Sequence, residues 1–459
     1  LPAGAALPKP GQRLDLPALP GSADALALAE LAARKLAPML AVVTASPLEA
    51  QRLEEEIRWL APGLRVHLLP DWETLPYDAF SPHQDLVSER LATLHAVSRG
   101  ECDVLLTAAS TALMRLAPRA YLAGRTFFVK KGDRLNLEGL RAQLTEAGYQ
   151  HVTQVVAAGE YSVRGGLVDL FPMGTALPFR IELFDDEVET LRTFDVDSQR
   201  TLYPVPEIRL LPAREFPMDE AGRNRFRARF RETFEGDASR IALYKDVSNG
   251  VPPAGIEYFL PLFFEETATL LDYLPAGSLI AQHGDVPGAI AEFWRDLKSR
   301  HSMLGGDRSR PVLPPGDIFL DDEHFFAGAK AFPGLRLRGG ADADAGADSA
   351  TAAPLPPLAV DRKADDPLAA LRAFLAGFPG RVLLLAESAG RRETLAEYLG
   401  EYGLVPEPGA DFAAFAGGAG RFLLATGPLS GGFLLAGAAA AVDAIAIVTE
   451  NELYAATAR

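Results

Sequence analysis

One segment, residues 159–195, constrains the fold and function of this chain more than any other, because its side chains alternate with the period of a β-strand. Three apolar side chains at every second position predict a buried strand face, namely Phe179, Ile181 and Leu183. The opposite, polar face then carries Arg180, Glu182 and Phe184. An acidic turn at 185–187 and a second strand at 188–194 complete a hairpin. Aromatic and arginine side chains together on a solvated face are typical of protein-binding hot spots, so we predict a docking surface.

Five motifs in and around this segment resemble the transcription-repair coupling factor family, Mfd, and its relative UvrB. They are RGGLVDLFP at 164–172, FDDE at 184–187, WETLPY at 72–77, FSPHQD at 80–85 and FDVDSQRT at 194–201. The resemblance covers almost the whole chain and implies a UvrA-binding module. It places the UvrA contacts at Arg164, Arg180 and Phe184. Because Mfd proteins are much longer and this sequence opens on Leu1, we expect an amino-terminal fragment.

The order of helix and strand patterns predicts an α/β fold. By resemblance, we expect a degenerate RecA/helicase-like parallel sheet in two parts, 1–124 and 211–337. An inserted α+β UvrA-binding domain separates them at 125–210. A linker rich in Ala, Asp, Gly and Pro, predicted to be flexible, follows at 338–362, and a small separate α/β third domain spans 363–459.

Local patterns also predict individual elements within these regions. In the first part and the inserted module, the predicted helices are 23–35, 47–60 and 137–147, and the predicted strands are 39–45, 64–68 and 103–108. In the third domain, helices are predicted at 367–378 and 390–400, and strands at 381–386, 421–425 and 444–449. The helix at residue 47 has the strongest start signal, because Ser46, Pro47 and Glu49 match a capping box with proline at the first helical position.

Nucleotide chemistry has no signature in this sequence. A phosphate loop needs a lysine directly after a glycine, and no lysine in the chain follows a glycine. The strand at 279–284 lacks the acidic pair that would hold magnesium. We therefore predict no catalytic residue, cofactor or metal here, and expect ATP and magnesium only in motor domains outside this sequence. Asp24 could replace a magnesium ligand, but its place at a helix start favours a capping role.

Two other clusters leave alternatives open. The acidic residues 185–189 could hold a hard cation, but an exposed hairpin turn is the simpler interpretation. Residues 388–393 follow a strand and could bind an anion at a helix N-terminus, or form a tight turn with a solvated arginine pair. The seven histidines make no close metal-ligand pair.

The amino-acid composition limits the classes of partner that the chain can bind. A net charge of −16 argues against general nucleic-acid binding, which needs clustered lysine and arginine. The single cysteine, Cys102, cannot form an internal disulfide, and no apolar run suits a membrane span, so we expect a cytoplasmic protein without a membrane partner.

The predicted function is recruitment of UvrA to stalled RNA polymerase by imitation of UvrB. The resemblance implies that RNA polymerase and double-stranded DNA bind domains beyond residue 459, and that the whole protein masks its UvrA-binding face with its own carboxy-terminal domain. The alternative is a degenerate helicase scaffold that binds DNA or another protein without recruiting UvrA.

Overall fold

The computed structural model describes residues 6–338, 352–436 and 444–454. The strands of these residues are, in chain order, β1 (Arg13–Leu16), β2 (Leu40–Thr44), β3 (Val66–Leu68), β4 (Val104–Ala108), β5 (Phe127–Lys130), β6 (Gln150–His151), β7 (Glu160–Arg164), β8 (Leu167–Leu170), β9 (Phe179–Phe184), β10 (Glu187–Phe194), β11 (Thr201–Pro204), β12 (Glu207–Leu210), β13 (Leu279–His283), β14 (Gly334–Leu337), β15 (Ala352–Ala353), β16 (Arg381–Ala386), β17 (Glu407–Pro408), β18 (Phe422–Thr426), β19 (Phe433–Leu435) and β20 (Ile445–Thr449).

The α-helices between them are α1 (Ala23–Ala33), α2 (Pro47–Leu60), α3 (Gln84–Ser98), α4 (Ala109–Ala112), α5 (Arg119–Gly124), α6 (Leu137–Glu146), α7 (Glu220–Thr233), α8 (Ala242–Ser248), α9 (Leu270–Tyr273), α10 (Val286–Leu304), α11 (Pro315–Ile318), α12 (Asp322–Ala329), α13 (Ala369–Gly377), α14 (Ala389–Glu401), α15 (Phe412–Gly417) and α16 (Glu450–Tyr454). Two 3-10 helices span Ala238–Arg240 and Ile256–Phe263. Among the described helices, none combines the length and the apolar character that a membrane crossing requires.

The first sheet is parallel throughout, with the strand order β1-β14-β13-β2-β4-β3. Its central strands are buried on both faces: Leu40 and Val42 pack with α1 and α2, while Ala41 and Val43 pack in the core that contains α3 and α10. The predicted parallel sheet covered by helices is therefore confirmed, and the chain has a mixed α/β fold. Its strands come from two stretches of chain, 13–108 and 279–337.

The start of α2 illustrates how local sequence sets an element. The Ser46 side chain accepts a hydrogen bond from the Glu49 backbone N–H, and Pro47 occupies the first turn, as predicted. The Glu49 carboxylate, however, turns away from the cap and accepts a hydrogen bond from Arg52 at 2.8 Å. One of the two hydrogen bonds of a capping box is therefore present. The Glu49 side chain does not make the other, because it forms an ion pair with Arg52.

The second sheet has the strand order β11-β10-β9-β8-β7-β6 and is antiparallel except for the β6–β7 pair. A short antiparallel pair, β5 with β12, lies at the two ends of this stretch of chain. The predicted hairpin is present as β9 and β10, with one difference in its turn. Glu187 already belongs to β10 opposite Phe184, so the acidic turn contains Asp185 and Asp186 alone, with Asp185 in the left-handed region.

The third sheet has the order β15-β19-β20-β16-β18-β17. Residues 339–351 of the predicted linker 338–362 lie outside the described residues. Residues 352–362 pack with the third unit, since β15 pairs with β19, Leu358 is buried, and the Val360 N–H donates to the Leu453 carbonyl.

One face of the third sheet shares a core with α1 and α2, through Leu383, Phe433 and Ile447. The backbones also meet at this junction, where Ser22 and Gly431 exchange hydrogen bonds. Gly21 has a φ of +51°, and a Cβ there would lie 2.3 Å from the Gly432 carbonyl oxygen, so only glycine fits. The third unit, which has its own sheet, is thus packed against α1 and α2.

Candidate functional site

The strand register of the second sheet brings the three predicted site residues to one face. Side chains at paired positions of adjacent antiparallel strands lie on the same face. Asp169, Arg180 and Arg192 form one such row across β8, β9 and β10, and Leu167, Glu182 and Thr190 form the next. Arg164 is paired with Leu167, and Phe184 has the same alternation along β9 as Arg180. We call Arg164, Asp169, Arg180, Phe184 and Arg192 the arginine face.

The opposite side of the same strands is a core. Ile181 on β9, Val168 on β8 and Leu191 on β10 are all buried, and Phe179 and Leu183 pack partly against them. The predicted division of β9 into an apolar and a polar face is therefore confirmed. This core fixes the register, because a slip by one residue would turn the arginine face inward.

Phe184 lies at the end of β9 with 70% of its surface exposed. Its ring is therefore not covered by a loop. The two-residue turn after it and the pairing with Glu187 hold its backbone at the rim of the sheet. An exposed aromatic side chain on a rigid strand is suited to bury its ring against a partner at low entropic cost.

Arg180 is held inside the face rather than extended from it. Its Nε and Nη2 donate to the two carboxylate oxygens of Asp169 at 2.7 and 3.0 Å, and its Nη1 donates to the Gln199 carbonyl at 3.0 Å. The guanidinium lies 4.7 Å from the centre of the Phe194 ring, and the side chain is 14% exposed. Hydrogen bonding to Asp169 raises the pKa of Arg180. Three of its five N–H groups are thus used within the protein.

Asp169 is the carboxylate that organises the face, and the sequence-based prediction did not include it. It is 3% exposed and also lies 3.3 Å from Nη2 of Arg164, whose own side chain is 60% exposed. Glu182, on the same face of β9, accepts a hydrogen bond from Thr190. The available signal was an aspartate between Val168 and Leu170 in an otherwise apolar strand.

Arg192 is the other residue that the sequence pattern did not single out. It is exposed on β10 directly opposite Arg180. Across the residues that the structure describes, its guanidinium has neither an ion-pair partner nor a hydrogen-bond acceptor. The alternation of β10 could have identified it, once the register of the hairpin was known.

A second charged cluster lies beside the first sheet, near the start of α1. We call it the Arg52 cluster; it comprises Asp24, Glu49, Arg52, Glu56 and His283. Arg52 bonds to all three carboxylates, at 2.6 Å to Asp24, 2.8 Å to Glu49 and 2.9 Å to Glu56. The His283 Nε2 lies 2.7 Å from Asp24. Glu56 in turn accepts the Ser430 backbone N–H at 2.9 Å, which ties the third unit to this cluster.

Asp24 is not the helix cap that its position suggested. Ser22 is the N-cap residue of α1, and Asp24 instead binds Arg52 and His283. Burial opposes ionisation of Asp24, but the hydrogen bonds from His283 and Arg52 outweigh it and lower its pKa to about 2. Asp24 therefore serves as a buried anion in a network of ion pairs.

Metal binding at this cluster is disfavoured by its own arginine. Asp24, Glu49 and His283 offer ligand atoms within 4.8 Å of one another. The Arg52 guanidinium, however, already bonds to both carboxylates and supplies the positive charge that an ion would bring. A cation would have to displace it or share its anions.

Residues 388–393 behave as a helix start with an internal ion pair. The Ser388 side chain accepts the Arg391 backbone N–H and caps α14. The Arg391 side chain binds Glu450 at 2.9 Å, so one of the two arginines in the predicted solvated pair is engaged. These contacts favour the tight turn over the anion site.

Two protein-family models match separate regions of this chain. Residues 127–216, which contain the arginine face, match the UvrB interaction domain, and residues 374–453 match the MFD D3 domain. The chain is thus an α/β protein with a region that matches the UvrB interaction domain.

Curated relatives are similar to this chain over most of its length. The chain is 42% identical to the transcription-repair-coupling factor of Escherichia coli (strain K12) over 406 residues, which are 87% of this chain and 35% of that protein. It is 42% identical to the Haemophilus influenzae protein of the same name over 392 residues, 85% of this chain and 34% of that protein. The Myxococcus xanthus protein is 31% identical over 68% of this chain and 27% of its own length. The chain is homologous to the transcription-repair-coupling factors, which confirms the resemblance, and it spans about a third of the length of the first two.

Proposed function

We propose that the arginine face is a docking surface for UvrA, and that this chain recruits UvrA in transcription-coupled nucleotide excision repair by imitating UvrB. The observation that carries this proposal is the exposed Phe184 on the same rigid face as three arginines. Apolar anchors combined with arginines are the side chains on which binding energy concentrates. The match of residues 127–216 to the UvrB interaction domain supports UvrA as the partner.

The rest of the proposed role concerns the whole protein. The relatives are named coupling factors, and this chain spans about a third of their length. We therefore assign RNA polymerase binding, double-stranded DNA binding and ATP-driven translocation to other parts of the protein, in the cytoplasm. The masking partner of the arginine face would be the protein's own carboxy-terminal domain, so the isolated chain would bind UvrA more tightly than the resting whole protein.

We propose further that the first sheet is a helicase-derived scaffold without ATPase activity. Its strands come from both sides of the second sheet in the chain, as expected if a docking domain at 125–210 interrupts a unit formed by 1–124 and 211–337. The Arg52 cluster supports this proposal, because phosphoryl transfer requires a phosphate cradle with its metal, and here an internal arginine neutralises the acidic groups. A phosphate-release assay with DNA present tests it, and turnover by the purified chain would contradict it.

The docking proposal is tested by calorimetry of UvrA with the 459-residue chain and with Phe184→Ala. We expect the substitution to weaken binding by about 2 kcal/mol or more, since the ring is the only large apolar anchor on the arginine face. Thermal unfolding should be unchanged, because the ring is exposed in the free protein.

Phe80→Ala is the matched control for this experiment. Phe80 is 71% exposed, nearly the same as Phe184, but lies in the loop before α3 and not on the arginine face. Its removal should leave UvrA affinity unaltered. A loss below about 0.5 kcal/mol for Phe184→Ala, or equal losses for the two variants, would refute the assignment of the face.

A further inference from the structure

The two arginines at the centre of the arginine face, Arg180 and Arg192, differ in how many N–H groups are free to bind a partner. Arg180 is mostly buried and gives three N–H groups to Asp169 and Gln199. Arg192, opposite it on β10, is exposed and has no internal acceptor among the described residues. All five of its N–H groups are therefore free for an acceptor outside the chain.

The position of Arg192 is also electrostatically unfavourable within the free protein. Like charges at directly opposed positions of neighbouring strands repel each other. Asp169 offsets the charge of Arg180 and is shared with Arg164, which leaves the charge of Arg192 uncompensated in its row. A carboxylate from a partner would remove this repulsion and satisfy the fork of N–H groups at the same time.

The strand on the other side of β10 from β9, which is β11, is also suited to an interface. Pro204 of β11 is its paired residue there, and β11 is the end strand of the sheet. All four residues of β11 are exposed, including the apolar side chains of Leu202 and Tyr203. Pro204, which is paired with Arg192, thus extends the exposed surface to the end strand of the sheet.

We propose that Arg192 is the arginine that contacts an acidic group of the docking partner, and that Arg180 is a positioning residue. This inference rests on the proposed docking function. Arg180 joins β8, β9 and the loop before β11, because it binds Asp169 and the carbonyl of Gln199. It thereby holds the surface on which Arg164, Phe184 and Arg192 are presented. The partner surface should carry a carboxylate opposite β10 beside an apolar contact for Phe184.

The test is the affinity of purified UvrA for Arg192→Ala and Arg192→Glu, measured by calorimetry at two salt concentrations. We expect Arg192→Ala to weaken binding about fivefold or more and to reduce its salt dependence, and the reversed charge to weaken it further. The midpoint of thermal unfolding should not fall in either variant, because neither removes an internal bond and both relieve the repulsion from Arg180. Arg141→Ala is the matched control, because Arg141 is an exposed arginine of the same module on α6.

The outcomes separate the two proposals. If the unmodified chain fails to bind UvrA, the proposed function itself is wrong and this inference with it. If the chain binds but Arg192→Ala loses less than fivefold, or no more than Arg141→Ala, the contact role of Arg192 is overturned while the docking function stands.

The positioning role of Arg180 has its own test, the double variant Asp169→Asn with Arg180→Gln. It replaces the buried ion pair by neutral groups that can still form a hydrogen bond. We expect it to bind UvrA more tightly than Arg180→Ala alone, because the support is partly restored. If the double variant binds no better than the single one, Arg180 contacts the partner directly and the positioning role is wrong.

Discussion

The arginine face and the Arg52 cluster both contain arginines and carboxylates. The Arg52 cluster has more carboxylates than arginines, and the arginine face has more arginines than carboxylates. In the Arg52 cluster, one arginine is bonded to three carboxylates, and a histidine and a backbone N–H satisfy the remaining oxygens. In the arginine face, one buried carboxylate serves two arginines, and a third arginine has no partner among the described residues. The first arrangement satisfies its charges internally, and the second leaves cations available at the surface.

This difference indicates how to distinguish a structural ion-pair network from a binding surface. A buried charge is tolerated only when it is paired, so the loss of one member of a closed network destabilises the fold. An arginine kept exposed opposite another arginine contributes nothing to folding that the structure reveals. It therefore indicates a contact made outside the chain.

The largest expected effect is on the free energy of unfolding, when the Arg52 cluster loses its arginine. Arg52→Ala leaves Asp24 and Glu56 buried without their shared cation, so we expect the free energy of unfolding to fall by about 3–5 kcal/mol. Denaturant unfolding measures it. Arg58→Ala on the same helix removes a half-exposed pair with Glu54 and a bond to the Val66 carbonyl, and should cost only about 1 kcal/mol. Equal losses would mean that the cluster is no more than a set of surface pairs.

An intermediate effect on stability is expected within the arginine face, where Arg180 and Arg192 should differ. Arg180→Ala deprives the buried Asp169 of its two-point partner and leaves only the longer contact with Arg164. We expect the free energy of unfolding to fall by about 2–3 kcal/mol. Arg192→Ala should change it by less than about 0.5 kcal/mol, because its side chain makes no internal bond in the described part of the chain. Similar changes in the two variants would contradict the distinction between a held arginine and a free one.

The smallest effect concerns pH. The pKa of Asp24 is lowered from 3.8 to about 2 in the folded protein, so its ionised form is stabilised by folding. This contribution is complete above pH 3.8 and is lost as the pH falls towards 2, and it amounts to about 2 kcal/mol. Comparing the unfolding free energy at pH 5 and at pH 2.5 measures it. Asp24→Asn should be less stable at neutral pH and should lose less on acidification; a slope that equals that of the unmodified protein would exclude Asp24 as its source.

Much of the fold could be predicted because its signals are local. The predicted helix 47–60 matches α2 (Pro47–Leu60), and the predicted strand 103–108 matches β4 (Val104–Ala108) to within one residue. Proline and serine at a helix start, and short apolar runs for buried strands, act on the few residues around them. The polar face of β9 was predictable for the same reason, since alternation is a property of the strand alone.

The partners of charged residues were not predictable in this way. Asp24 was expected to cap a helix, yet its partners Arg52 and His283 are 28 and 259 residues away in the chain. Asp169 and Arg192 join Arg180 in one row only because β8, β9 and β10 are neighbours in a particular register. The sequence alone therefore determined which elements form and which of their faces are polar, through short-range sterics and hydrophobic burial. Only the tertiary structure decided which charges meet and which remain free, because a charge is satisfied by whatever group folding brings within hydrogen-bonding distance.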